Sequence, residues 1–185
     1  MNNLLMLIDS SSSLDFKVLT KHRVPGAIPI FSKYRMIDFP LSMAVKSRIV
    51  NVGIVIDKNY RSLQDHIGSG SRYNLDRRRD GIFILPPKNS SSIEDEFMSL
   101  ARLFEHREYF NRSNQEYAVI VPSTLISMMD FNEILEYHIK ENKEITQIVS
   151  SLNERLFTFI IKKSKLEEYI DSYNELTLRN IIEIY

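Results

Sequence analysis

The sequence predicts an α/β domain three layers deep with a mostly parallel central sheet. Two observations carry this. Apolar, strand-length runs occur at residues 4–8, 52–56 and 117–121, the last continuous, as expected for a parallel strand covered on both faces. Segments with helical character separate them, so the strands have the crossovers that parallel pairing needs.

The elements follow in order. LLMLI (4–8) is the first strand; it is too short for a signal-peptide core and no basic stretch precedes it, so it is expected to be a strand rather than a leader. Residues 37–47 form a short helix that accepts Pro40 in its first turn, with Phe39, Leu41, Met43 and Val45 as candidates for its packing face. Residues 52–56 complete a βαβ unit. Residues 60–67 give a second helix, and 82–85 a strand stopped by Pro86 and Pro87. A polar loop at 89–92 leads into a long helix, 93–110, with Phe97, Leu100, Ala101, Phe104 and Phe110 at near-helical spacing and Glu94, Asp95 and Glu96 in its first turn. Phe97, Met98 and Phe104 are read as core. The strand at 117–121, a helix at 131–142, strands at 144–150 and 156–161 and a helix at 164–173 complete the series.

Composition narrows the function. With 24 basic and 24 acidic residues there is no overall field to attract nucleic acid or an anionic membrane. The absence of cysteine rules out disulfides and thiolate chemistry and fits a cytoplasmic protein. His22, His66, His106 and His138 are scattered without metal-ligand spacing, so no metal site is expected from them.

The segment KYRMIDFPLS (33–42) places Lys33 and Arg35 just ahead of a proline-marked helix start, where cations and helix amides would both attract an anion; the alternative is a pair of solvated loop charges. Arg77, in the run Arg77-Arg78-Arg79, either meets an anionic effector or is solvated. Gly68-Ser69-Gly70 is a small anion nest or a plain turn.

Together with NVGIVI (51–56), YRSLQD (60–65) and HIGSGSRYNLDRRRDGIFILPP (66–87), that segment resembles bacterial glucose-1-phosphate adenylyltransferases, also called ADP-glucose pyrophosphorylases. Within the family it looks most like the second, regulatory-type subunit of Gram-positive glycogen synthesis. The likeness runs over residues 1–151 and more loosely beyond. It implies a nucleotidyltransferase domain, GT-A-like and Rossmann-like, with ligands at the carboxyl ends of the parallel strands. It also implies ATP, glucose 1-phosphate and glycolytic phosphates as ligands, and a catalytic subunit as partner.

Three positions depart from the family pattern. The loop at 9–23 stands where the family has G-G-x-G-x-R, and serines fill 10–13, with Ser12 among the altered positions; Asp9 and Asp15 would repel a triphosphate. Pro25 takes the place of the lysine of K-P-A-V-P, with Lys21 and Arg23 close by in sequence. Thr124 takes the place of the aspartate of S-G-D-H that holds Mg²⁺, and a neutral hydroxyl is a poor ligand for that ion. The expectation is therefore a regulatory or catalytically weakened subunit. The alternatives are a slow sugar-1-phosphate nucleotidyltransferase that uses Mg²⁺, or a domain that senses a sugar phosphate or nucleotide without chemistry. No catalytic residue is assigned, no cofactor is certain, and Lys21, Arg23, Lys33, Arg35 and Arg77 are the candidates for binding phosphate or effector. Residues 1–185 are expected to be an incomplete nucleotidyltransferase-like domain, because residues 151–155 stand where relatives carry several dozen residues and no left-handed β-helix domain follows.

Overall fold

LLMLIDS becomes β1 (Leu4–Ser10), with every residue buried, because strands and helices cover both its edges and both its faces. A computed structural model describes residues 3–11, 16–77, 80–88 and 98–172, with Thr177 and Asn180. The remaining elements are β2 (Pro29–Ile30), β3 (Tyr34–Arg35), α1 (Asp38–Lys46), β4 (Asn51–Ile56), α2 (Arg61–Ile67), β5 (Gly81–Leu85), α3 (Leu100–Glu105), α4 (Arg107–Arg112), β6 (Tyr117–Pro122), α5 (Phe131–Lys140), β7 (Ile145–Val149), β8 (Arg155–Lys162) and α6 (Lys163–Ser172). The main sheet runs β5-β4-β1-β6-β8-β7, and β2 and β3 form a separate hairpin.

β1 pairs in parallel with β4 and β6, and β4 in parallel with β5; β8 runs antiparallel to both β6 and β7. The sheet is thus mostly parallel, and the carboxyl ends of β1, β4, β5 and β6 share one edge. The alternation of side chains sends Met6, Ile8, Ile54 and Val121 toward Leu41, Leu63 and Phe131 of α1, α2 and α5. Leu5, Leu7, Val55 and Ile120 face Leu103, Phe110 and Leu166 of α3, α4 and α6. Gly53 on that second face leaves room for Tyr109, since a Cβ there would lie 3.0 Å from its ring.

Several expectations need correction. The α1 face is Leu41, Met43 and Ala44; Val45 is 46% exposed and Phe39 is half-buried. The four candidates were spaced by two residues, a strand period that a helix scatters around its circumference. The long helix expected at 93–110 is two short ones over its described part. Ser99 is extended (φ −75°, ψ 138°), caps α3 through its hydroxyl and bridges to Thr177. At His106 the backbone leaves the helix again (φ −108°, ψ 27°), and its Nε2 donates to the Pro86 carbonyl at 2.7 Å. Phe104 is 46% exposed, so it is not core, whereas Met98 is buried. Phe97 and the loop at 89–92 lie outside the described residues.

The loop expected from residue 9 begins later, since Asp9 and Ser10 pair with Val55 and Ile56. The β7–β8 connection is a tight turn. The Ser150 amide donates to the Glu154 carbonyl at 2.8 Å, the Asn153 amide to the Ser150 carbonyl at 2.9 Å, and Asn153 takes the left-handed φ of 63° that asparagine tolerates.

Candidate functional site at the carboxyl edge

The carboxyl edge has different chemistry on its two faces. On the face of α1, the 3₁₀ turn Pro25–Ala27 packs directly on the ends of β1 and β6. Ser10 Oγ accepts the Gly26 amide at 3.1 Å, and Ser10, Pro25, Gly26 and Ser123 are all buried. A Cβ on Gly26 would lie 2.8 Å from Ser10 Oγ and 3.2 Å from Ser123 Cβ, so only glycine fits without displacement. The Ser123 amide donates to the Asp9 carbonyl at 2.7 Å, while its buried hydroxyl has no hydrogen-bond partner. Thr124, next in line, is half-buried.

On the other face Asp9 turns inward. Its Oδ1 accepts the Ser11 amide at 2.9 Å and the Ser11 hydroxyl at 2.7 Å. Burial pushes the carboxyl above its ordinary range, against the Ser11 and Met98 hydrogen bonds and the nearby Arg102 charge, which favour the ionised form. Arg102 Nη2 lies 3.3 Å from Asp57 Oδ1 at the end of β4 but without hydrogen-bond geometry, so the contact is an ion pair alone. The expectation that Asp9 simply repels phosphate from the loop is therefore corrected, because its carboxyl is held inside by Ser11. Asp15 and Ser12 lie outside the described residues.

Pro25 and Thr124 are the chain neighbours of Gly26 and Ser123, which lie against one another. The cations are spread more widely. Lys21 is exposed and Arg23 half-buried. Lys33 is exposed and sits 5.2 Å from the centre of the Tyr34 ring. Arg35 points toward α2, where its Nη1 donates to the Ser62 carbonyl at 2.5 Å and the Ser62 hydroxyl at 2.6 Å. The backbone of Arg77 lies against Gly81 at the amino end of β5, away from the carboxyl edge.

The motif around residue 38 is a structural hub. Asp38 Oδ2 accepts the Arg35 amide at 2.8 Å, and Oδ1 receives both the Tyr73 hydroxyl and His66 Nε2, the latter at 2.7 Å. Nothing in the one-dimensional pattern pointed to His66 or Tyr73 as its partners. A cavity of about 750 Å³ that sequence reading also missed runs along β5, with Phe83 and Tyr109 on its wall and Lys88, His106 and Arg112 around it.

A model of the nucleotidyl transferase family matches residues 16–158. The chain belongs to that family. It is 34% identical over 183 residues to the glycogen biosynthesis protein GlgD of Bacillus subtilis (strain 168), covering 98% of this chain and 53% of that protein. Against GlgD of Geobacillus stearothermophilus the figures are 34% over 185 residues, 99% and 54%. Against the glucose-1-phosphate adenylyltransferase of Clostridium perfringens (strain SM101 / Type A) they are 34% over 149 residues, 80% and 38%. The chain thus spans about half the length of the GlgD relatives it matches. A crystal structure from Bacillus anthracis, assigned as a glucose-1-phosphate thymidylyltransferase, superposes with a TM-score of 0.70 at 11% identity over 96% of this chain and 80% of that one, a likeness of fold. Among the described residues no helix is long and apolar enough to cross a membrane.

Proposed function

We propose that this chain is a regulatory or catalytically weakened subunit of glucose-1-phosphate adenylyltransferase, modulating formation of ADP-glucose from ATP and glucose 1-phosphate for glycogen synthesis in the cytoplasm. The observation that carries the reading is the packed carboxyl edge. Where the resemblance places a lysine and a glycine loop for phosphates, Pro25 is buried and Gly26 packs against Ser10 and Ser123. The donor set also fails to fit the Mg²⁺ that the family implies. Thr124 offers a neutral hydroxyl, the Asp9 carboxyl is engaged by Ser11, and among the described residues no three His, Cys, Asp or Glu side chains cluster as metal ligands. The closed turn at 150–154 stands where the resemblance places a sugar-contacting segment, which supports the same reading.

Similarity to the two GlgD proteins supports glycogen synthesis as the setting, and similarity to the adenylyltransferases supports a catalytic subunit as partner. The test measures ADP-glucose formation by the glucose-1-phosphate adenylyltransferase of the same cells, with and without this chain. A shift in rate or effector response on addition, with negligible turnover by this chain alone, is expected. Unchanged kinetics, or turnover by this chain within tenfold of the catalytic subunit, would overturn the reading.

A further inference from the structure

Between Phe16 and Ile37 the chain carries Lys17, Lys21, Arg23, Lys33 and Arg35 and no Asp or Glu, in a protein whose basic and acidic residues balance overall. The same stretch exposes apolar side chains, with Val18 at 84% and Phe31 at 80%, and Leu19 and Tyr34 also exposed. It holds backbone strain as well. Lys17, Phe31 and Ser32 have φ of 56°, 47° and 67°; elsewhere Asn59, Asn74, Asn142 and Asn153 tolerate that region, and Arg48 and Phe157 also enter it. An aromatic side chain held in that region at the tip of the β2–β3 hairpin, open to water, contributes little to the fold that carries it.

We infer that residues 17–35 form a docking surface for a different polypeptide, whose matching face carries carboxylates around an apolar pocket that takes Phe31. The inference rests on the reading above, under which that polypeptide is the catalytic adenylyltransferase subunit. Charge decides against a second copy of this chain. In a two-fold contact through this segment, a stretch with five cations and no acid of its own would meet itself and oppose its own charge. It also separates this surface from other exposed apolar positions such as Leu152, 79% exposed at the β7–β8 turn. Lys21, Arg23 and Lys33 make no ion pair among the described residues, so their charge is available to a partner; Arg35 is engaged by Ser62.

The experiment measures binding of this chain to the adenylyltransferase of the same cells by analytical ultracentrifugation. It uses wild type, Phe31→Ser, Val18→Ser and, as control, Leu152→Ser, each at low and high salt. Melting temperatures are taken in parallel. The expected result is a complex that salt weakens, that Phe31→Ser weakens about tenfold or more as an interface anchor would, and that Leu152→Ser leaves unchanged. A wild-type complex that Phe31→Ser and Val18→Ser leave equally tight overturns the docking surface while the partner reading stands. No wild-type complex overturns both. Self-association abolished by Phe31→Ser, or binding of the chain to anionic phospholipid vesicles through the same residues, overturns the choice of a protein partner of opposite charge.

Discussion

The Tyr73 hydroxyl donates to Asp38 Oδ1, tying the turn after α2 to the first residue of α1. The same oxygen accepts from His66 of α2, and the other accepts the Arg35 amide, so one carboxylate organises α1, α2 and the hairpin. Asp38→Ala strands these donors in a largely buried site and is expected to lower unfolding stability by about 2–4 kcal/mol, against about 1 kcal/mol for Tyr73→Phe. Urea denaturation of the two variants provides the check; equal and small losses would show that the hub contributes little.

Gly26 is expected to be intolerant of any side chain. Gly26→Ala drives a Cβ to 2.8 Å from Ser10 Oγ and 3.2 Å from Ser123 Cβ. A loss of about 1–3 kcal/mol is expected, partly recovered when Ser10→Gly is added, because the two changes share one space. Strictly additive losses in a double-mutant cycle would count against the packed edge.

The hairpin tip offers a gain instead. Ser32 at φ 67° is strained in a way glycine is not, so Ser32→Gly is expected to raise stability by about 0.5–1 kcal/mol. A lower melting temperature for this variant would contradict the assigned turn.

Under the proposed function, placing a carboxylate at position 124 alone should not give chemistry. Thr124→Asp leaves Pro25 and Gly26 packed over β1 and β6, and residues that act as a unit are strongly non-additive. Adenylyl transfer by Thr124→Asp is expected to stay below one tenth of a catalytic subunit's rate, by a margin on the order of tenfold or more. Recovery by this single change would mean that the edge is more accessible than its packing indicates.

Stability should fall on both sides of neutrality. His138, buried and bonded to Thr146 at 2.7 Å, and His106 are both held below the ordinary 6.5 by burial. Their folded forms resist protonation, so their contribution is present above pH 6.5 and is lost as pH falls through their lower folded values. Burial raises Tyr73 and Tyr109 above the ordinary 10.0, so their contribution is lost as pH rises past that value. His138→Gln should flatten the acid limb in denaturation curves taken from pH 7 to 5; an unchanged slope would assign the limb elsewhere.

The parallel core was legible because apolar runs at 4–8, 52–56 and 117–121 alternate with helical segments, and β1, β4 and β6 lie there. The hairpin was not, since β2 and β3 are two residues each and the turn between them uses Phe31 and Ser32 without a glycine to mark it. The break at His106 depends on a bond to Pro86, which no local periodicity records. At the edge, the burial of Pro25 and the half-burial of Thr124 come from packing that no motif spells out. That Asp9 would fold its charge back onto Ser11 could not be read either, because burial decides it.

The central position of β1 also constrains how the chain is made. β1 precedes β6 in the chain, so Leu4 acquires its β6 neighbour only when Tyr117 is available, whereas β7 and β8 are joined by a short turn and can pair as soon as they emerge. Distant pairings form slowly because loop closure must precede the contact. Until β6 leaves the ribosome, LLMLI remains an apolar ribbon with its β6 edge unpaired, the kind of transiently exposed edge through which chains aggregate.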